Sequence, residues 1–234
     1  MQRIINFSGG KTSAYMTIHE YREGDLVIFC DTGREHPKTY KFINDFEVHE
    51  NISVIRLKYE GGFEKLIEKR KAIPNNFKRF CTVELKIKTA RRYLRSLGLT
   101  KYENLVGFRY DEPLRVKRRK KMWKDVTDIF PLFDKKIDKQ IINHYWESKP
   151  YTLEIPSILG NCTLCFMKGK NAIMSILAKY PEFADEWIKD EEKLGYTYLK
   201  DISIKQLKNI SSNNLFKDYD LDNIKPAFDC ACTS

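Results

Sequence analysis

The stretch RIINFSGGKTS, residues 3–13, decides the fold. Its apolar start predicts a strand over 3–7, and the pattern after it predicts a helix over 13–23. A glycine pair lets the backbone turn tightly between the two, and the free N–H groups at a helix start attract anions. Ile5 stands where a Walker A loop requires glycine, so this is not that loop. We expect phosphate to bind at this turn; an ordinary strand-to-helix connection is the alternative that the stretch alone leaves open.

Outward from this unit, short apolar runs alternate with helical patterns through the first half of the chain. This alternation is typical of parallel β–α–β units, whose ligands bind at the carboxyl ends of the strands. We therefore predict an α/β fold with an open, mostly parallel sheet flanked by helices. The further predicted strands are 26–29, 52–57 and 104–108, and the predicted helices between them are 37–48, 63–71 and 83–97.

The second half of the chain has a different pattern, with helices predicted over about 138–146, up to about 179, and over 184–194. We expect an α/β domain over 1–130 and a C-terminal helical region over 131–234 that carries a CxxC and a CxC motif. No repeat, low-complexity tract or long linker separates them, so we expect the two to pack as one unit.

Composition excludes several classes of protein. The chain has 234 residues, of which 42% are hydrophobic, enough for a core and too many for a disordered chain. No run approaches the roughly 18 apolar residues of a membrane span, and the first residues resemble no secretory signal. We expect a soluble, cytoplasmic protein with no membrane partner. Its net charge of +10 suits a phosphate-rich partner.

A second motif, CDTGREHP over residues 30–37, closes the second predicted strand. Asp31, Thr32 and Gly33 should lie beside the first loop, where a carboxylate can hold a ribose hydroxyl or a metal. Turn chemistry alone also favours these three residue types. Cys30 is predicted to be a small buried apolar residue.

Together the two motifs resemble the PP-loop ATPases, and specifically the phosphoadenosine phosphosulfate reductase family. RFCT at 79–82, GFRYDEPLR at 107–115 and CTLCF at 162–166 agree with it in order, so the resemblance covers residues 1 to about 180. It implies a Rossmann-like sheet that binds ATP or another adenine nucleotide, with Mg²⁺ as a possible companion ion. It also implies that Lys11, Asp31 and Arg109 are catalytic. The residues that it implies for nucleotide binding are Ser8, Gly9, Gly10, Lys11, Thr12, Ser13, Asp31, Thr32, Gly33, Arg79, Asp111 and Arg115.

The chain departs from the family pattern at three places. At the first, Phe80-Cys81 stands where iron–sulfur members have adjacent cysteines, so Cys230 or Cys232 would supply the missing ligand. Thr12 replaces the acidic residue of the usual S-G-G-x-D-S loop, which weakens the expectation of magnesium binding there. The segment DCAC at 229–232 differs from the E-C-G-[IL]-H segment that carries the redox cysteine of sulfonucleotide reductases. This third departure disfavours classical sulfonucleotide reduction.

Cysteines form the third constellation. A CxxC pair brings two thiolates to one metal, and further cysteines complete the four ligands. The separation of the first cysteine from this pair resembles that in iron–sulfur members of the family. We predict a [4Fe–4S] cluster, with structural zinc or unligated reactive thiols as alternatives. Its candidate ligands are Cys81, Cys162, Cys165, Cys230 and Cys232.

These features predict an enzyme that transfers sulfur to a nucleic acid or nucleoside through chemistry at the ATP α-phosphate. The basic run over 115–124, which contains Trp123, supports a nucleic-acid partner, although such runs are more often solvated faces. A sulfur- or electron-donor protein would be a further partner. The alternatives are a reductase of adenylyl sulfate or 3′-phosphoadenylyl sulfate, and a non-catalytic module that binds nucleotide or nucleic acid.

Overall fold

Parallel strands form one five-stranded sheet in the part of the chain that the structure describes. The structure, a computed structural model, describes residues 1–119, 124–212, 220, 221, 224 and 227. The strand order is β3-β2-β1-β4-β5, so the first strand is central, with Ile4 opposite Leu26 on one side and Asn104 on the other. The strands are β1 (Gln2–Asn6), β2 (Leu26–Asp31), β3 (Ile55–Lys58), β4 (Tyr102–Leu105) and β5 (Val126–Ile129).

Helices connect the strands and make up most of the second half. They are α1 (Lys11–Glu20), α2 (Pro37–Glu50), α3 (Gly62–Arg70), α4 (Thr89–Ser96), α5 (Pro113–Arg118), α6 (Pro131–Asp134), α7 (Lys139–Glu147), α8 (Lys170–Lys179), α9 (Ala184–Leu194) and α10 (Ile204–Ser211). A π-helix, Thr82–Lys88, leads directly into α4. None of the described helices is both long and apolar enough to cross a membrane.

The sheet buries an apolar surface on each face. On one face, Phe7 and Leu105 pack with α1, α2 and α7, which contribute Met16, Phe46 and Trp146. A smaller cluster on the other face contains Ile4, Ile28 and Tyr102 of the strands and Leu94 of α4. Burial on both faces agrees with β2, whose sequence LVIFCD is nearly continuously apolar. The edge strand β3 reads IRLK and alternates, with Arg56 and Lys58 exposed.

A separate apolar cluster joins the C-terminal helices to α3. It contains Leu66 and Ile67 of α3, Ile173 of α8, Trp187 of α9 and Leu207 of α10. Arg34, from the turn after β2, ties this cluster to the sheet. Its side chain is only 3% exposed and lies 2.9 Å from Asp190 and 2.6 Å from Glu186. Phe63 and Trp187 cover the guanidinium, with ring centroids at 5.1 and 5.7 Å.

The predicted fold class is confirmed, with local differences. The strands predicted over 52–57 and 104–108 are Ile55–Lys58 and Tyr102–Leu105. The single helix predicted over 83–97 is a π-helix followed by α4, and at their junction the Thr89 hydroxyl donates to the Glu84 carbonyl, five residues back, at 2.9 Å. Within the π-helix, Val83 and Ile87 are four residues apart, a spacing that fits either an α-helix or a wider π-turn, so periodicity alone does not distinguish the two. β5 was not predicted, because four residues directly after a strongly basic run give little periodic signal.

Candidate functional site

The loop between β1 and α1 is held by its own hydroxyls. Ser13 Oγ donates to the Gly10 carbonyl at 3.0 Å and accepts from the Ser8 backbone N–H at 3.0 Å. Gly9 has a φ of +76°, and a Cβ there would lie 2.7 Å from Thr39 Cγ2. Gly10, the N-cap of α1, gives the helix no side-chain cap. The first turn of α1 therefore offers amide donors at the carboxyl edge of the sheet.

A cleft of about 610 Å³ opens over this loop. Five of the six predicted loop residues line it, whereas Ser13 is buried beneath and serves the loop's shape. Other walls come from the segment after β4, from α7 and from residues 152–161. Among the described residues, the cationic side chains on its lining are Lys11, Arg109, Arg115 and Lys139, against the carboxylates Glu112 and Glu147. This excess of positive charge suits an anionic ligand.

The segment after β4 carries a chain of ion pairs at one side of the cleft. Arg109 donates to both carboxylate oxygens of Asp111, at 2.9 and 3.0 Å. Arg115 donates to Glu112 at 2.6 Å and stacks over Phe108, 4.3 Å from the ring centroid. Partial burial by itself raises the pKa of Asp111, but the two bonds from Arg109 hold that pKa below its ordinary value. The fixed carboxylates orient both guanidinium groups at the cleft wall.

The predicted residues of the second motif lie outside the lining of this cleft. Asp31 ends β2, and its Oδ1 accepts from the Gly33 N–H at 2.7 Å and from the Tyr40 hydroxyl at 2.7 Å. Thr32 donates to Glu35 at 2.8 Å. Burial raises the pKa of Glu35, and Asp31 adds to that rise. In the structure these residues form a hydrogen-bonded turn, which their residue types favour. That Asp31 binds a ribose or Mg²⁺ stays a prediction.

Three predicted metal ligands line one small apolar cavity of about 20 Å³ behind the cleft: Cys81, Cys162 and Cys165. The Cys162 thiol lies 3.4 Å from the Thr32 hydroxyl. Within the described ranges, no three Cys, His, Asp or Glu side chains come close enough together to hold a metal ion. Cys230 and Cys232 lie outside the described residues, so the cluster stays a prediction. Asn161 lines both this cavity and the larger cleft.

The remaining predictions have mixed outcomes. Arg79 is partly buried in the loop before the π-helix and does not line the cleft. Cys30 packs against the cluster around Leu94, and burial raises the pKa of its thiol to about 11, as suits a small apolar residue. Trp123 and residues 120–122 of the basic run lie outside the described residues. Arg119, from the same run, forms an ion pair with Asp128 of β5 at 2.9 Å.

Sequence reasoning missed the contribution of α7. Lys139, Asn143 and Glu147 of this helix line the cleft at a spacing of four residues. Trp146 donates from its indole N–H to the Lys11 carbonyl at 3.0 Å, which fixes the helix against the loop. The four-residue spacing was visible in the sequence. Nothing in the sequence indicated that this helix packs on α1 rather than on the C-terminal helices.

Comparison with curated proteins found relatives without an assigned activity. The chain is 29% identical over 204 residues to the uncharacterized nin region protein ORF290 of Escherichia phage lambda, covering 74% of this chain and 68% of that protein. It is 24% identical to the uncharacterized protein MJ0973 of Methanocaldococcus jannaschii, covering 82% of this chain and 48% of that protein. A second protein of this archaeon, MJ0066, is 25% identical, and the chain spans 40% of its length.

Among solved structures, phosphoadenylyl-sulfate reductase from Candida auris, in a phosphate complex, matches with a TM-score of 0.47 at 17% identity. The match covers 65% of this chain and 76% of that one. A family model, the phosphoadenosine phosphosulfate reductase domain, matches residues 2–149, which include the loop, the second motif and the ion pairs after β4. The chain therefore belongs to the phosphoadenosine phosphosulfate reductase domain family.

Proposed function

We propose that the cleft over the β1–α1 loop binds an adenine nucleotide with its phosphates on that loop. The observation that carries this proposal is the convergence of an uncapped helix start and three cationic side chains, Lys11, Arg109 and Arg115, on one cleft of about 610 Å³. A cleft of this size accommodates a nucleotide. The family to which the chain belongs supports an enzyme that acts on such a ligand.

In the reaction that we propose, an acceptor oxygen attacks the α-phosphate of ATP. A P–O bond to the acceptor forms, and the bond to the leaving pyrophosphate breaks. Negative charge develops on the transferred group and on the leaving group. Fixed cations and backbone amides then stabilise the transition state because they need no reorganisation. Lys11 would contact the phosphates from the loop, and Arg109 and Arg115 would contact them from the segment after β4. Asp111 orients Arg109, and Glu112 orients Arg115.

We further propose that sulfide-level sulfur from a donor protein then attacks the adenylated carbon of the acceptor, a nucleic acid or nucleoside. A C–S bond forms, the C–O bond to the adenylate breaks, and AMP leaves. The net charge of +10 supports a polyanionic acceptor. Thiolate donors suit iron–sulfur clusters and zinc. Cys81, Cys162 and Cys165 line one cavity, and they would have to approach one another to hold such a group. A bound [4Fe–4S] cluster would supply relay of sulfur or electrons. The second candidate, favoured by the family assignment, is reduction of a sulfonucleotide, which releases sulfite.

Titration calorimetry with ATP, AMP and adenylyl sulfate tests the nucleotide site. Removing the ammonium by Lys11→Met should weaken binding of ATP about tenfold or more, since a hydrogen bond to a charged group contributes roughly 1.5–3 kcal/mol. Lys41→Met is the matched control, because Lys41 is 71% exposed on α2 and pairs with Asp45. Equal affinity of both variants for ATP would refute phosphate binding at the loop.

Product analysis separates the two reactions. Release of pyrophosphate from ATP that depends on added RNA supports adenylation of a nucleic acid, and release of AMP that also requires a sulfide donor supports transfer of sulfur to it. Release of sulfite from adenylyl sulfate in the presence of thioredoxin supports reduction instead. A protein that binds ATP normally but yields neither set of products is a binding module.

Metal analysis of anaerobically purified protein tests the cluster. We expect iron and acid-labile sulfide, with a broad absorbance near roughly 400 nm. Serine in place of Cys81, Cys162 or Cys165 should lower the iron content, whereas Cys30→Ser should retain it because Cys30 packs outside the cavity. If the protein contains stoichiometric zinc and no sulfide, the cysteines hold a structural zinc ion and not an iron–sulfur cluster.

A further inference from the structure

An exposed aromatic ring lies in the loop between α3 and the π-helix, four residues before Cys81 of the cysteine cavity. Phe77 is 95% exposed, the highest value of any large hydrophobic side chain among the described residues. Asn75 holds its turn, because Asn75 Oδ1 accepts from the backbone N–H groups of Phe77 and Lys78, both at 3.0 Å. The ring is not part of the hydrophobic core, so it is available to a partner.

Basic side chains continue from this turn onto α4. Lys88, Arg92 and Arg95 recur at a spacing of four and three residues, which places them on one exposed stripe of the helix. Arg70 and Lys88 both pair with Glu84 and are about half exposed. No ion pair joins Arg92 or Arg95 to another residue of the described ranges.

A series of contacts runs from the segment after the turn to the first residue of the stripe. Arg70 lies over the ring of Phe80, 5.9 Å from its centroid, and Phe80 lies two residues after the turn and two before the π-helix. Glu84, in that π-helix, links Arg70 to Lys88. We define the Phe77 surface as Arg70, Phe77, Lys78, Lys88, Arg92 and Arg95.

We propose that the Phe77 surface binds single-stranded nucleic acid, with a base stacked on Phe77 and phosphates on the basic stripe. This inference rests on the proposed function only in taking a nucleic acid as the acceptor. The chemistry of the surface favours a single strand. An exposed ring offers a stacking face to an unpaired base, and unpaired arginines attract phosphates without regard to sequence. A duplex, whose bases are already stacked, would use only the basic stripe.

Fluorescence anisotropy with labelled oligouridylate, oligothymidylate and a duplex tests the proposal on the full chain. Phe77→Ala should weaken single-strand binding roughly tenfold, because base–aromatic stacking contributes about 1–3 kcal/mol. Phe77→Trp should retain the affinity and Phe77→Leu should not, which separates ring stacking from general apolar contact. Tyr196→Ala is the matched control, because Tyr196 is 57% exposed on the turn between α9 and α10.

The salt dependence of binding tests the basic stripe. Replacing Arg92 and Arg95 by alanine should lower the slope of log K against log salt by roughly 1.4, because each single-strand phosphate that an arginine neutralises adds about 0.7 to that slope. Arg22 and Lys189, both exposed elsewhere, give a double alanine control with the same charge change. Because all these side chains are exposed, the thermal unfolding midpoint should not change.

Two results overturn the proposal. One is wild-type protein that binds ATP but neither oligonucleotide, which leaves the nucleotide site intact and removes this surface. The other is oligonucleotide binding that Phe77→Ala and the arginine pair leave unchanged, which places the nucleic acid elsewhere. If the wild-type protein does not bind ATP, that result refutes the proposed function and not this inference.

Discussion

Gly9 shows how one residue shapes the phosphate loop. Its φ of +76° is unfavourable for any residue with a Cβ, and that Cβ would meet Thr39 Cγ2 at 2.7 Å. We expect Gly9→Ala to lower the free energy of unfolding by about 1–3 kcal/mol and to weaken nucleotide binding. Chemical denaturation and calorimetry measure the two effects.

Gly24 is the matched control for this substitution. Its φ is +88°, but nothing lies within 4 Å of the position of its Cβ. Gly24→Ala therefore carries the backbone cost alone, about 1–2 kcal/mol, and should leave nucleotide affinity unchanged. If the two variants lose the same stability and neither loses affinity, the contact with Thr39 does not shape the loop.

At the residue scale, the loop and the second motif lie in different surroundings. Glycines, hydroxyls and a lysine at a strand-to-helix turn imply a local geometry, and residues 8–12 do line the cleft. Asp31 lies outside that lining, and its carboxylate has local partners. The partners, Gly33 and Tyr40, are only two and nine residues away. The competition between a ligand and a nearby hydroxyl is not visible in a motif.

Helix α7 depends on a cap at its start. Asp138 Oδ1 accepts from the backbone N–H groups of Gln140 at 2.9 Å and Ile141 at 3.0 Å. Asp138→Ala should lower the free energy of unfolding by about 0.5–2 kcal/mol, and Asp138→Asn should restore most of it, because asparagine also caps helices. Thermal or urea unfolding of the three proteins measures the difference.

The Asp138 cap should also affect ligand binding in the cleft. Lys139, Asn143 and Trp146 reach the site from this helix, so fraying of its first turn should weaken nucleotide binding in Asp138→Ala. Ser203→Ala provides the comparison, since Ser203 caps α10, away from the cleft. A loss of affinity as large in Ser203→Ala as in Asp138→Ala would mean that affinity follows overall stability rather than α7.

Elements with strong periodicity were predictable, and those set by neighbours were not. The predicted range 184–194 coincides with α9, and 37–48 lies within α2. The π-helix Thr82–Lys88 arises from a tertiary setting in which Glu84 bonds both Arg70 of α3 and Lys88. Sequence periodicity does not report such cross-element bonds.

Across the whole molecule, Glu50 joins the N-terminal and C-terminal halves. It ends α2 and accepts from Lys149 at 2.9 Å and from the Tyr151 hydroxyl at 2.7 Å, both in the segment after α7. Burial by itself raises the pKa of Glu50, but these two bonds bring that pKa below its ordinary value. A carboxyl with a lowered folded-state pKa stabilises the fold above its unfolded pKa.

The pH dependence of unfolding tests this link. The stability difference between wild type and Glu50→Gln should be constant from neutral pH to about pH 5. It should shrink as the pH falls below about 4.3, the ordinary value, towards the lowered folded-state pKa. Glu23→Gln, at an exposed position, is the control for the loss of one charge. A difference that grows at acid pH would contradict the assignment.

Asn161 lines both the small cavity of cysteines and the large cleft. Its φ of +60° suits asparagine or glycine and strains a β-branched residue. The two compartments therefore have one lining residue in common. A substitution at Asn161 should change the environment of the thiols and that of a bound nucleotide together.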